Sequence, residues 1–218
     1  MQLNTVIFDM DGLLIDSEPL WNEAADEVFS YYGKKLSAED HATTMGLRTS
    51  EFVSWWLRDY KFDNTELEKA AKQIVDLVNE KIKLRGVMKP GVHHIVNFFH
   101  ERKFKIGLAT SSPLSVVKNV AQLLKIEPYL QAVTSAEHLE YGKPHPQVYL
   151  DCARQLNSSP LECVCFEDSI NGMIAAKAAR MKCVVVPEHS AQKSEKWALA
   201  DLKLSSLQNF NELHFNLL

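Results

Sequence analysis

The feature that most constrains this chain is a change of rhythm at Pro90-Gly91. Before it, one short apolar run, Thr5–Phe8, is followed by a stretch from Ser17 to Gly86 in which every apolar periodicity is helical. After it, short apolar runs alternate with amphipathic segments. The pattern predicts helices over Val92–Arg102, Pro113–Lys125, Pro146–Gln155, Ile170–Ala179 and Leu207–Leu213. Strands are predicted over Phe104–Ala109 and near Ala132–Thr134, Cys163–Phe166, Cys183–Val186 and Lys203–Leu204. Strands separated by helices cannot close hairpins, so they must run parallel. The expected fold is α/β, a doubly wound parallel sheet with a small all-helical cap domain inserted after its first strand. The expected boundaries are a core of residues 1–15 and 85–218 and a cap of residues 16–84.

Within the helical stretch, Ser17 reads as an N-cap, with Leu20, Ala24 and Val28 on one face and Gly33 as the stop. Thr65 and Glu68 suggest a capping box ahead of the stripe Leu67, Ala71, Ile74, Val78 and Ile82. Ser112 reads as the cap of the helix that starts at Pro113. The four cysteines, Cys152, Cys163, Cys165 and Cys183, lack the spacing of a zinc site and read as reduced core thiols. The N-terminus has no basic or apolar leader, and no apolar run reaches the ~20 residues of a membrane span, so a cytoplasmic protein is expected.

In a doubly wound sheet, ligands sit beyond the carboxyl ends of the strands, at the switch in strand order. Four predicted strand ends here carry polar groups. Asp9 and Asp11 in Phe8-Asp9-Met10-Asp11-Gly12 are two residues apart, so both carboxylates can project the same way. A calcium loop starting at Asp9 fails, because Leu13, Leu14 and Leu20 stand where an oxygen ligand, Gly and Glu belong. Thr110-Ser111-Ser112 places hydroxyls and free amides at a helix N-terminus, a natural anion site. Lys143 lies in Gly142-Lys143-Pro144, and Glu167-Asp168 end a further strand.

Together these residues bring four acids to one edge. Two unit charges 4 Å apart interact by about 4 kcal/mol at an effective dielectric near 20. A phosphate dianion could join them only with a cation, and oxygen ligands suit Mg²⁺. Lys143, Thr110 and the Ser111 amide would hold the remaining phosphate oxygens. One carboxylate can then attack phosphorus and the other protonate the leaving alcohol. Asp9, directly off the strand, is the natural nucleophile and Asp11 the natural acid/base, although spacing alone does not decide between them.

In order, FDMDG, LATSS, GKPHP and FEDSINGM resemble the four motifs of the haloacid dehalogenase superfamily, a likeness spanning Val6 to about Pro187. The resemblance implies a Rossmann-like core with a helical cap between the first and second motifs. It implies Asp9 as nucleophile, Asp11 as acid/base, and Thr110 and Lys143 as phosphate holders. Mg²⁺ would be held by Asp9, the Asp11 backbone carbonyl and Asp168, with Glu167 as an outer or water-mediated ligand. The substrate-binding set is then Asp9, Met10, Asp11, Thr110, Ser111, Lys143 and, from a cap loop Gly46–Thr49, Arg48.

The resemblance also separates relatives. Dehalogenases proper lack the second Asp, so Asp11 argues against dehalogenation. Phosphosugar mutases usually carry a hinge histidine where this chain has Trp21. Phosphonatases need a cap lysine, and Lys34, Lys35 and Lys61 read as solvated. Trp55-Trp56 is expected to be partly core rather than a sugar platform, and His93-His94 structural. With 24 Lys and Arg against 28 Asp and Glu, the net charge is −4, which argues against nucleic-acid or membrane partners. The expectation is a monomeric Mg²⁺-dependent phosphatase of small sugar or hexitol phosphates. The alternatives are a phosphosugar mutase and a non-catalytic phosphate-binding or interaction module.

Overall fold

The computed structural model describes residues 2–60 and 62–218; Lys61 lies outside them. Six strands form one parallel sheet: β1 (Thr5–Phe8), β2 (Lys105–Thr110), β3 (Ala132–Ser135), β4 (Cys163–Glu167), β5 (Lys182–Val185) and β6 (Leu202–Lys203). Their order is β3-β2-β1-β4-β5-β6, the doubly wound arrangement, with the direction of winding reversing between β1 and β4. Phe8 pairs with Leu108 on one side and with Phe166 on the other, so the residues that follow these three emerge at one level.

Every residue of β1 and β4 is buried, as expected of central strands covered on both faces. Alternate residues sort by face. Val6, Phe8, Ile106, Leu108, Val164 and Phe166 join one apolar cluster with α5 (Val92–Glu101) and α6 (Leu114–Leu123). Ile7, Ala109, Cys163, Cys165 and Cys183 join another, under α7 (Gln147–Gln155) and α8 (Ile170–Ala178). All four cysteines are buried and unbridged.

Between β1 and α5 the described residues form four helices: α1 (Glu18–Ser30), α2 (Ala38–Thr43), α3 (Thr49–Leu57) and α4 (Asn64–Arg85). Ala70, Ile74, Val78 and Ile82 form the fully buried stripe of α4. The cap of this helix is Asp63, whose side chain accepts from Glu66 N–H, two residues earlier than the expected Thr65. Asp and Thr are both good caps, and only the entering backbone angles distinguish the two starts. The expected C-terminal helix Leu207–Leu213 is divided into a 3₁₀ turn, Leu207–Asn209, and α9 (Glu212–Asn216). Fully buried Phe210 occupies the break, and Asn211 caps the new start by accepting from Leu213 and His214 N–H. His94 is structural as expected, its Nε2 2.7 Å from the Phe210 carbonyl.

Gly107 in β2 lets α7 approach the sheet closely. A Cβ there would lie 2.6 Å from Cys152 Sγ and 2.9 Å from Leu156 Cδ1. Gly107→Ala is therefore expected to destabilise the fold by about 1–3 kcal/mol through overpacking. A lower urea midpoint with an unchanged m-value would show it; an unshifted midpoint would mean that the layer gives way freely.

Candidate active site

Asp9 follows β1 directly, and its N–H donates to the Phe166 carbonyl at 3.0 Å, which fixes it at the switch point beside β4. The chain then turns through Gly12, whose φ of +74° is natural only for glycine. The space a Gly12 side chain would fill is taken by the Asp168 carboxylate. The turn thus lets the acid at the end of β4 reach the acid at the end of β1.

Lys143 is almost completely buried and donates to Asp9 Oδ1 at 2.7 Å, Glu167 Oε1 at 2.6 Å and the Ala109 carbonyl at 3.2 Å. An ammonium has three protons, so its donors are all used. Burial alone would lower its pKa, but the facing carboxylates Asp9 and Glu167 outweigh burial and raise it. Lys143 is held charged. Glu167, with no exposed surface, also accepts from Tyr149 O–H at 2.5 Å, the Asp168 and Ser169 N–H groups and the Ser169 hydroxyl. Five donors saturate both oxygens.

Asp168 differs. Its carboxylate is buried but accepts no hydrogen bond among the described residues. Burial first, then the charges of Asp9 and Glu167, push its pKa well above the carboxylate range. Asp9 is pushed up to about 7, chiefly by burial and by Glu167, with Lys143 opposing. Carboxylate oxygens of Asp9, Glu167 and Asp168 lie within 4.8 Å of one another. One lysine cannot neutralise three acids, and the donor set is all hard oxygen. A divalent cation such as Mg²⁺ fits this cluster. Asp9 and Asp168 keep the lone pairs it needs. Glu167 does not, which suits an outer role.

Asp11 lines the same cavity as Asp9 and Asp168. Its Oδ1 accepts from Ser17 Oγ at 2.6 Å and Trp21 Nε1 at 2.9 Å, and its Oδ2 accepts from Ser112 Oγ at 2.6 Å. Both serines had been expected to cap helices. Ser17 does occupy the N-cap position of α1, but its side chain makes no capping bond. Pro113, not Ser112, occupies the N-cap of α6. A capping hydroxyl contributes about 1 kcal/mol, and here both are committed to Asp11.

Asp9, Asp11, Thr110, Ser111, Lys143 and Asp168 line one cavity of about 90 Å³, so six of the expected site residues converge. Thr110 Oγ1 accepts from Ser112 N–H, which leaves its own proton to donate. Met10 is fully buried, with its side chain in the core, so only its backbone can serve the site. Arg48 is engaged elsewhere. Its guanidinium donates to the Leu139, Ala136 and Glu140 carbonyls and to Glu51 Oε1, and it is not among the cavity-lining residues. Arg48 thereby ties the helical block to the sheet region through Glu51 and those carbonyls.

Sequence reasoning missed most of the far wall, where Glu18, Trp21, Asn22, His41, Thr44 and Phe52 contribute. Glu18 is pushed up to about 8, by burial first and then by Asp11 and Asp9. A signal was available for α1, since Trp21 follows Ser17, and Asn22 follows Glu18, by one helical turn. Trp55 and Trp56 do not line the cavity; Trp56 instead donates to Thr44 Oγ1 at 3.1 Å.

A doubly wound sheet carrying acid, hydroxyl, lysine and acid at successive strand ends defines the class of haloacid dehalogenase-like hydrolases. The chain belongs to that family, which matches residues 6–186. It is 42% identical over 207 residues to hexitol phosphatase B of Escherichia coli K12, covering 94% of this chain and 93% of that one. It is 32% identical over 190 residues to a phosphorylated carbohydrates phosphatase of Thermotoga maritima, with 86% and 87% covered. The fold matches a crystal structure of β-phosphoglucomutase from Clostridium difficile with a TM-score of 0.88 at 22% identity, covering 99% and 96% of the two chains. No described helix is long and apolar enough to cross a membrane.

Two substitutions should move stability in opposite directions. Lys143→Met leaves buried Asp9 and Glu167 without their cation and should cost about 3–5 kcal/mol. Asp168→Asn removes a buried acid group that has no donor among the described residues and should raise the Tm of metal-free protein by about 2–4 °C, the equivalent of ~1 kcal/mol at this size. It should also abolish any rise in Tm produced by Mg²⁺. Calorimetry with and without Mg²⁺ checks both, and a destabilised Asp168→Asn protein would contradict the charge argument.

Proposed function

We propose that this protein is a Mg²⁺-dependent phosphomonoester hydrolase acting on small sugar or sugar-alcohol phosphates. The observation that carries the reading is the arrangement around Asp9. Lys143 holds one of its oxygens at the switch point, Asp168 lies beside it with no donor among the described residues, and Asp11 lines the same cavity. Two relatives named for phosphorylated carbohydrates or hexitols support the substrate class.

In this proposal the free oxygen of Asp9 attacks phosphorus, the bond to the leaving alkoxide breaks, and Asp11 gives that alkoxide a proton. Asp11 then takes a proton from the water that attacks the aspartyl-phosphate, releasing phosphate and restoring Asp9. Thr110 and the Ser111 amide would hold the phosphoryl oxygens, with Lys143 fixing the nucleophile. Mg²⁺ bound by Asp9, the Asp11 carbonyl and Asp168 would supply charge neutralisation and polarise the phosphoryl group.

We further propose that residues 16–84 act as a cap on a core of residues 1–15 and 85–218. The Met45–Arg48 segment is well placed for this. Ser111 Oγ donates to the Gly46 carbonyl at 2.8 Å, and Asn171 Nδ2 donates to the Met45 carbonyl at 3.0 Å. A closed cap would shut water out of the cavity.

Purified protein with Mg²⁺ should release phosphate from hexose and hexitol phosphates, and chelation should stop it. Asp9→Asn should lose at least ~10³-fold in kcat while its Tm shows an intact fold. Rearranged sugar phosphate in place of free phosphate would point to a mutase. A folded protein that releases nothing would leave only phosphate binding.

A further inference from the structure

Asp11 is held in an unusual way, and the chemistry of its partners decides where it can carry a proton. A carboxylate oxygen offers about two lone-pair sites. On Oδ1 both are taken, by Ser17 Oγ at 2.6 Å and by Trp21 Nε1 at 2.9 Å. Oδ2 has one known partner, Ser112 Oγ, at 2.6 Å. These donors are not equivalent. A serine hydroxyl can turn and accept, whereas the indole N–H only donates and has no lone pair to receive a proton. In every state of Asp11 the Trp21 N–H fills one lone pair of Oδ1, and Ser17, while it donates, fills the other.

We propose that Trp21 is a positioning residue that, with Ser17, saturates Oδ1 of Asp11 so that the transferable proton is carried on Oδ2. The inference rests on the acid/base reading of Asp11. It gives the tryptophan a role that a ring of similar size without an N–H could not fill. Both Oδ1 donors come from the start of α1, while Ser112 comes from the loop after β2. The acid is therefore set only when the first helix of the cap block is seated against the sheet.

The readout is the dependence on the leaving group. An alkoxide needs a proton to depart; para-nitrophenolate does not. The value of kcat/KM reports events up to the first irreversible step, so it excludes the later attack by water. The test compares the ratio of kcat/KM for a hexitol 6-phosphate to that for para-nitrophenyl phosphate in wild type, Trp21→Phe, Ser17→Ala and Asp11→Asn, all with Mg²⁺. Asp11→Asn should lower the ratio by about 10²-fold or more, the ordinary contribution of a general acid. Trp21→Phe should lower it by roughly tenfold, as for the loss of one hydrogen bond to a charged group. Ser17→Ala, which keeps the ring in place, should lower it in the same direction.

The outcomes are distinct. If Asp11→Asn slows both substrates equally, the acid/base reading itself fails. If Asp11→Asn lowers the ratio but Trp21→Phe slows both substrates equally, Trp21 only shapes the cavity and the proposal is overturned. If Trp21→Phe does not fold, an unchanged ratio in Ser17→Ala overturns it in the same way.

Discussion

One buried ammonium organises the site. Lys143, carried on the loop before α7, reaches Asp9 at the end of β1, Glu167 at the end of β4 and the Ala109 carbonyl in β2. Three strands and a loop are thereby tied to a single charge. Taking such a charge out of water costs several kcal/mol unless it is fully paired, and the pairing here is complete. The Tyr149 ring also lies 5.0 Å from the ammonium, and its hydroxyl bonds Glu167. Glu167 in turn accepts from the Asp168 and Ser169 amides, so the same network shapes the loop that presents Asp168.

That network also explains why the site is unbalanced. Lys143 and four further donors satisfy Glu167, and Asp9 has one oxygen tied down. Asp168 receives no such compensation, and Gly12 has no side chain to keep it away from Asp9. The sheet therefore delivers excess negative charge to the place where an anionic substrate would bind. The −4 net charge of the chain takes on a local meaning, because part of it is gathered into a cluster suited to a cation.

Much of this was legible in the sequence, and the rest was hidden for identifiable reasons. Parallel strands follow from helix–strand alternation, and strand ends follow from the apolar runs, so Asp9, Thr110, Lys143 and Asp168 could be assigned to one edge. Side-chain partners could not. Ser17 and Ser112 have the sequence context of caps, yet both bond a carboxylate that no local pattern links to them. Arg48 reads from sequence as a substrate-facing loop residue because its acceptors, three main-chain carbonyls near Leu139, lie about 90 residues away in sequence. The Phe210 break in the last helix depends on a buried ring that periodicity alone places inside a helix.

Lys143 is already committed to Asp9 and Glu167, so the proposed function requires a divalent cation to balance Asp9 and Asp168 before phosphate binds tightly. Calorimetric titration of inorganic phosphate into metal-free protein and into protein saturated with Mg²⁺ tests it directly. Phosphate should bind well over tenfold more tightly when Mg²⁺ is present, since each tenfold is 1.4 kcal/mol and the uncompensated repulsion is about several times that. Equal affinity for phosphate in both titrations would contradict it.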